Sequence, residues 1–324
     1  MASNTYSYTP DQLTLYLERI HYGSNESATS SSSSRLQQAQ QAVKTDPLGT
    51  LYEIQRRHLA SIPWGNSALH YSNHRTIDIR PACVYEKLVT RRLDGYCMEN
   101  NTLLYGVLKS LGYAVYATGG RVCLAATGQG KEGLEKLYTG MSHMVLIVLI
   151  EGEKYAVDVG FGGNGPTRPL PLKEDVVSVC MAPTEMRLVH EPLPEYADQT
   201  QKVWIYQIRY TPDSRWIPMY SFLGTEFLPQ DFEIMNYATS QRPTSWFTQS
   251  LVCTRFIMDE AESEVQGMYF LVGREVKKRQ FGKTEVVETL ERDADRVKAL
   301  EKWFDMHFRD YEVEAIRGFV SEIK

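Results

Sequence analysis

The sequence lacks a long apolar run. Its longest, residues 144–150 (MVLIVLI), has seven residues against the ~20 that a bilayer-spanning helix needs. No membrane segment is therefore expected. Basic runs are missing as well, apart from VKKRQ around Lys277 and Arg279, which reads as a solvated turn. With a net charge of −5, the chain has no electrostatic footprint for nucleic acid. Cysteine is sparse and scattered: five residues, at 83, 97, 123, 180 and 253, with no Cys-x-x-Cys pair. That spacing favours neither a zinc site nor a disulfide framework, so no metal is called for. Free thiols belong in a reducing cytosol. The N-terminal residues lack the basic-then-apolar layout of a secretory leader, and a cytoplasmic location is expected.

What is present is core material: 324 residues, 43% hydrophobic and 23% charged. That suffices for one large or two to three ordinary domains. Residues 10–20 carry apolar side chains at helical spacing after Pro10 and Asp11. A serine-rich stretch, residues 25–35, reads as a surface insertion with no core role. Helical pattern resumes near Leu36 and over residues 48–61. Beyond Cys97, the residues Leu103, Leu104, Val107, Leu108 and Leu111 repeat at helical intervals up to Gly112. Cys97 thus falls at or just before a helix N-terminus. The texture then changes to short β-rich runs (114–126, 142–150, 154–163, 203–210) broken by glycine and aspartate turns. Residues 184–200 read as an irregular connection. A short helix and loop over 230–247, strands at 252–258, 268–272 and 286–289, and a helix over 293–308 complete the chain. The fold class is α+β: a helical part over 1–112, an antiparallel sheet or barrel over 113–225, and a mixed α/β part over 226–324.

Three residues are unusual where they stand. Cys97 sits where helix N–H groups stabilise a thiolate, the form that attacks carbonyls. A buried, inert thiol is the plain alternative. His143 opens the apolar run, where a polar ring needs a partner. Asp158 lies in KYAVDVGFGG, a strand ending in glycines, and a carboxylate there is costly unless paired. The turn EGEK (151–154) makes a hairpin of the two runs. Folding it around Gly152 sets Asp158 across from about Leu146. His143 is then about three positions further along, on the order of 10 Å, and contact would need a bulge or a shifted register. A carboxylate that orients an imidazole, which takes a thiol proton, is the logic of a Cys-His-Asp enzyme. Peptidases and transglutaminases share it.

The surroundings are more specific. GYCMENN (95–101) resembles the nucleophile motif Arg-Gly-Gly-x-Cys-x-Glu-x-Asn of the arylamine N-acetyltransferase family, through Gly95, Cys97, Glu99 and Asn101. YTGMSHM (138–144) and DVGFG (158–162) resemble its histidine and aspartate segments. Residues 16–20, 58–63, 87–89 and 236–247 are also similar, in family order over roughly 10–275. The resemblance implies a helical bundle, a β-barrel and an α/β lid on a cysteine-protease-like core. It implies ping-pong transfer from acetyl-CoA or malonyl-CoA through Cys97, His143 and Asp158 to an arylamine, arylhydrazine or N-hydroxyarylamine. It further implies Thr139 and Gly140 near CoA and Phe161 lining the amine pocket. Fungal members are the most similar, and some of those prefer malonyl-CoA. Two segments depart from the family: Leu93-Asp94 replaces Arg-Gly, and Gly65 stands where Pro-Phe-Glu-Asn has glutamate. Asp94 puts a negative charge three residues from the thiol, which opposes thiolate formation. A thiol hydrolase or transglutaminase-like enzyme, and a degenerate ligand-binding member, are the alternatives.

Overall fold

Local signals start the helices. A computed structural model describes residues 7–23, 32–127 and 137–324. The Thr9 hydroxyl accepts from the Gln12 N–H (3.2 Å) and the Gln12 side chain accepts from the Thr9 N–H (3.0 Å), a capping box that opens α1 (Pro10–Arg19). α2 (Ser32–Thr45) follows, so the end of the serine-rich stretch is helical; residues 25–31 lie outside the described residues. Asp46 caps α3 (Pro47–Ser61) by accepting from the Gly49 N–H at 2.9 Å. A two-residue strand β1 (Trp64–Gly65) precedes α4 (Pro81–Tyr85), which runs on into a wider turn, Glu86–Thr90. α5 (Cys97–Ser110) has every residue from 97 to 104 buried. A helix enclosed on all sides is a core helix, which fits its many apolar residues.

The central strands are β2 (Ala114–Cys123), β3 (Tyr138–Ile150), β4 (Glu153–Val157), β5 (Leu170–Pro171), β6 (Ser178–Met181), β7 (Thr184–Glu191), β8 (Val203–Arg209) and β9 (Ile217–Phe222). They form one antiparallel sheet in the order β5-β4-β3-β2-β9-β8-β7-β6. It is a curled sheet whose edge strands do not pair with each other. Residues 184–191, expected to be irregular, are therefore a strand; Thr184, Met186 and Leu188 point inward while Glu185 and Arg187 alternate with them.

After α6 (Pro229–Gln241) and α7 (Trp246–Gln249) come β10 (Val252–Met258), β11 (Val265–Val272), β12 (Glu275–Gln280) and β13 (Lys283–Thr289). β1 joins them in a second sheet, ordered β1-β10-β11-β12-β13, which ties the N-terminal helices to the C-terminal part. The VKKRQ stretch is thus strand β12, paired on both sides, rather than a solvated turn. α8 (Asp293–Phe304) stops four residues earlier than its pattern promised, because Asp305 takes the left-handed conformation (φ 59°). α9 (Asp310–Glu314) ends the regular structure. One apolar core runs from Tyr8 and Leu17 through Leu104 and Leu146 to Phe256. A second, with Leu271, Leu300 and Phe304, lies under α8. Among the described residues no helix is long and apolar enough to cross a membrane.

Candidate active site

Cys97 is the first residue of α5, and the turn before it is held from several directions. The Gly95 N–H donates to the Pro63 carbonyl (3.2 Å), and the Gly95 carbonyl accepts from the Gly65 N–H (3.0 Å) and from Asn100 Nδ2. Glu99 accepts from the Tyr96 N–H (3.1 Å) and from Lys87 Nζ (2.7 Å). Burial pushes the Glu99 carboxyl up, against the opposing pull of Lys87. Behind Asn100, His58 Nε2 lies 3.1 Å from Asn100 Oδ1, and His58 Nδ1 lies 3.0 Å from the Tyr16 hydroxyl. Burial lowers His58 to about 4, so it is a neutral link at pH 7. With Nε2–H donating to Asn100 and Nδ1 accepting from Tyr16, every member of this buried chain is satisfied. The result is a rigid seat for the Cys97 thiol, whose Sγ lies 3.6 Å from the Ser142 carbonyl oxygen.

His143 stands opposite Gly120 at a bulge, where the β2–β3 pairing slips between Gly120 and Arg121. Its Nε2 is 2.7 Å from Asp158 Oδ2. The hairpin register differs by one residue from expectation: Leu146 pairs with Val157, the last residue of β4. Asp158 therefore continues the strand on the face of Val145 and His143, as a diagonal neighbour of the latter. Diagonal pairs are ~7–8 Å apart and long side chains bridge them. No bulge between β3 and β4 is required. Asp158 Oδ1 accepts from Asn101 Nδ2 (2.9 Å) and the Gly160 N–H (2.7 Å). Asn101 also donates to the Met144 carbonyl (2.7 Å) and accepts from the Val159 N–H (3.0 Å). One turn after Cys97, it locks the nucleophile's helix to both strands. In the sequence Asn101 stands only as a motif member; its i, i+4 spacing from Cys97 is the signal that it shares the thiol's face.

Electrostatics follow from this packing. Burial alone would lower His143, but the Asp158 charge and the hydrogen bonds with Asp158 and Cys97 outweigh it and raise it to about 10. Burial would raise Asp158; His143, Asn101 and the Gly160 N–H outweigh that and lower it. At neutral pH the ring is an imidazolium beside the thiol, the counter-ion that a thiolate needs. With Nε2 engaged by Asp158, Nδ1 is the nitrogen left for sulfur. Phe161 meets the ring edge-on (5.2 Å, 76°) and Tyr220 packs at 4.7 Å, which keeps water off the pair.

The site opens on a cavity of about 680 Å³. Cys97, His143 and Phe161 line it, with Thr139 and Gly140 at the start of β3. Sequence reasoning missed part of the lining, where Trp64, Phe247 and Arg279 come from three separate segments. Gly160 permits the closest approach: a Cβ there would stand 2.5 Å from Cys97 Cα.

The two departures from the family motif prove to be one contact. A Cβ on residue 65 would stand 2.2 Å from Asp94 Oδ2. The Asp94 carboxylate fills that space and accepts from the Ser67 N–H (3.0 Å) and the Ser67 hydroxyl. Gly65→Ala should therefore cost ~1–3 kcal/mol in urea unfolding. Asp94→Gly/Gly65→Ala removes the carboxylate from the clash and leaves the Val252 carbonyl, 2.8 Å from that Cβ, so the two costs should fail to add by ~1 kcal/mol. Strict additivity would sever this link.

A sulfur at a helix N-terminus, an imidazole–carboxylate pair and a deep apolar cavity form the arrangement used by thiol-dependent acyl-transfer and hydrolytic enzymes. The comparisons narrow that class. A family model described as N-acetyltransferase matches residues 47–313. The chain belongs to the arylamine N-acetyltransferase family, and it is an acyl-CoA-dependent acyltransferase. The N-malonyltransferase FDB2 of Gibberella moniliformis is 37% identical over 283 residues, 85% of this chain and 82% of that protein. Human arylamine N-acetyltransferase 1 is 28% identical over 259 residues, 75% and 81% of the two chains. The Mycobacterium marinum arylamine N-acetyltransferase structure in complex with CoA superposes with a TM-score of 0.71 at 27% identity, covering 94% of this chain and 98% of that one.

Proposed function

We propose that Cys97, His143 and Asp158 carry a ping-pong acyl transfer from malonyl-CoA or acetyl-CoA to an arylamine, arylhydrazine or N-hydroxyarylamine. The observation that carries this reading is the buried His143–Asp158 bond (2.7 Å) beside a thiol that faces the cavity. In the first half-reaction the Cys97 sulfur, its proton already held on the His143 imidazolium, attacks the thioester carbonyl. The bond from that carbon to the CoA sulfur then breaks, and the imidazolium protonates the departing CoA thiolate. In the second half-reaction the amine nitrogen attacks the Cys97 thioester, His143 takes the amine proton, and Cys97 leaves as thiolate.

Thr139 and Gly140 are assigned to the CoA arm. They line the cavity, and open space surrounds the Gly140 Cα where a side chain would stand. Phe161, packed on His143, is assigned to the amine ring. We read the chain as a cysteine-protease-like core closed by a lid, with units 1–112, 113–225 and 226–324. Supporting this, residues of α6 and of β10–β12 line the same cavity as Cys97.

The test is intact mass after mixing the protein with each donor. An increase of one malonyl or acetyl group, located on Cys97 and removed by an added arylamine as the N-acyl product, is expected. No adduct from either donor near neutral pH would overturn the reading. An adduct lost equally fast to water with or without amine would instead make the chain a thiol hydrolase.

A further inference from the structure

Arg279 is the half-buried cation of the cavity that no carboxylate answers among the described residues. It lies on β12 opposite Met268, and both side chains line the cavity. Nη1 donates to Asn164 Oδ1 (3.2 Å) and Nη2 to the Gly163 carbonyl (3.1 Å). The guanidinium carbon lies 5.8 Å from the centre of the Tyr210 ring. Nε is buried with no acceptor. A guanidinium carries five N–H donors and one positive charge; here two donors go to neutral oxygens and the charge is unmatched.

Some other enclosed arginines of this protein have carboxylate partners, whereas half-buried Arg75 and Arg121 bond to backbone carbonyls. Arg57 pairs with Glu53 and Glu262, Arg91 with Glu312, and Arg296 with Asp293. Charge withdrawn from water is costly without a counter-charge. Around Arg279 the described residues supply neutral partners, so the counter-charge is left for whatever enters the cavity.

Position says which part of the ligand that is. Gly163 is three residues past Gly160, and Gly160 packs directly on Cys97 Cα. Three residues span at most ~11 Å, and the positive φ of Gly162 (84°) turns the segment back on itself. The segment that touches the nucleophile thus also carries the carbonyl that orients the guanidinium. A malonyl group on Cys97 bears its free carboxylate only two bonds beyond the thioester carbon. An acetyl group bears nothing there.

We propose that Arg279 binds the free carboxylate of a malonyl-type acyl group and sets the donor preference of this enzyme. The proposal rests on the acyl-transfer reading above. The planar fork suits a carboxylate in two-point contact, oriented by Asn164 and Gly163. No bond changes at this group; the chemistry stays at the thioester.

The test is the first half-reaction, read as CoA release without amine, for malonyl-CoA and acetyl-CoA. In Arg279→Gln the malonyl-to-acetyl ratio of kcat/KM should fall ~10- to 100-fold, the range of a lost charge-assisted contact. Arg279→Lys, which keeps the charge but not the fork, should lie between. An equal fall with both donors would overturn the proposal, because it would assign the cation to the CoA portion or to folding. An unchanged ratio, with loss only towards carboxylate-bearing arylamines, would also overturn it by moving the contact to the acceptor. A test on the unaltered protein covers the case in which the variants do not fold. The methyl ester of malonyl-CoA has the bulk without the charge, and it should react ~10- to 100-fold more slowly than malonyl-CoA. Equal rates for the two would sink the idea. If the unaltered protein accepts neither acyl group, the acyl-transfer reading itself fails, a result distinct from all of these.

Discussion

Cys97→Ser is expected to lower acyl transfer by a factor on the order of 10⁴ or more while leaving the fold in place. The two side chains share a shape, and residue 97 is a small side chain in a seat defined by other groups: Pro63, Gly65, Asn100, Glu99 and Lys87. None of those contacts uses the sulfur. The unfolding midpoint should move by only a few degrees. Chemistry is another matter. A thiol yields a thiolate beside an imidazolium, and His143, raised to about 10 by Asp158 and Cys97 against burial, is that imidazolium. A serine hydroxyl is far less acidic and keeps its proton beside the same imidazolium, so no anionic nucleophile forms. The helix N-terminus cannot close that gap; it is worth ~1 kcal/mol or less at most sites. CoA release and intact mass measure the two halves of the claim. An acyl adduct on the introduced hydroxyl, formed at a tenth of the normal rate, would refute the role given to sulfur.

The helical elements and the nucleophile's place at the head of α5 were legible because their signals are local. Pro10 and Asp11 open a helix, Gly112 ends one, and leucines at 3.6-residue spacing mark the rest. The family motif added the chemistry, since Cys97, Glu99 and Asn101 keep their spacing. What the sequence missed came from contacts between distant segments or from turn detail. The hairpin is closed by two residues with positive φ, Glu151 (50°) and Gly152 (84°). The pairing axis therefore lies between them rather than on Gly152, and the whole register moves by one residue. That single step turns a three-position offset into a diagonal pair on one face, whose side chains meet at 2.7 Å. Strand β7 was overlooked because its outward residues Glu185 and Arg187 masked the inward Met186 and Leu188. Strand β12 was overlooked because charge suggested a turn, although Val276 is buried and Arg279 reaches Gly163 across 116 positions.

Gly65 and Asp94 teach the same point from the opposite direction. Read separately, each looks like damage to the nucleophile's surroundings. In the structure one makes room and the other fills it, and the carboxylate is satisfied by Ser67. A departure from a motif is therefore informative only when its spatial partner is known. Here the partners stand at positions 65 and 94, too far apart in the chain for any local pattern to link them.

Asp158→Asn should reduce transfer ~10³- to 10⁴-fold, and the reason lies in which oxygen does what. Oδ2 faces His143 Nε2, while Oδ1 accepts from Asn101 Nδ2 and the Gly160 N–H. An asparagine has one oxygen for these two places. If its NH₂ turned towards Asn101 and Gly160, three donors would meet with no acceptor, at a cost of ~1–3 kcal/mol per stranded group. The oxygen therefore stays with Asn101 and Gly160, and the NH₂ faces His143. The ring must then accept at Nε2 and carry its proton on Nδ1, the nitrogen needed to receive the thiol proton. Removing the carboxylate also removes the charge that holds His143 up, and burial, the largest influence and one that lowers it, is then opposed by Cys97 alone. Both changes act on the protonation of one ring, so the thiolate absorbance of the resting enzyme at neutral pH should fall with the rate. The fold should survive, because Asn101 still ties α5 to Met144 and Val159. A variant that kept a tenth of the normal rate, or full thiolate absorbance, would show that Asp158 holds the strand in place and does not orient the imidazole.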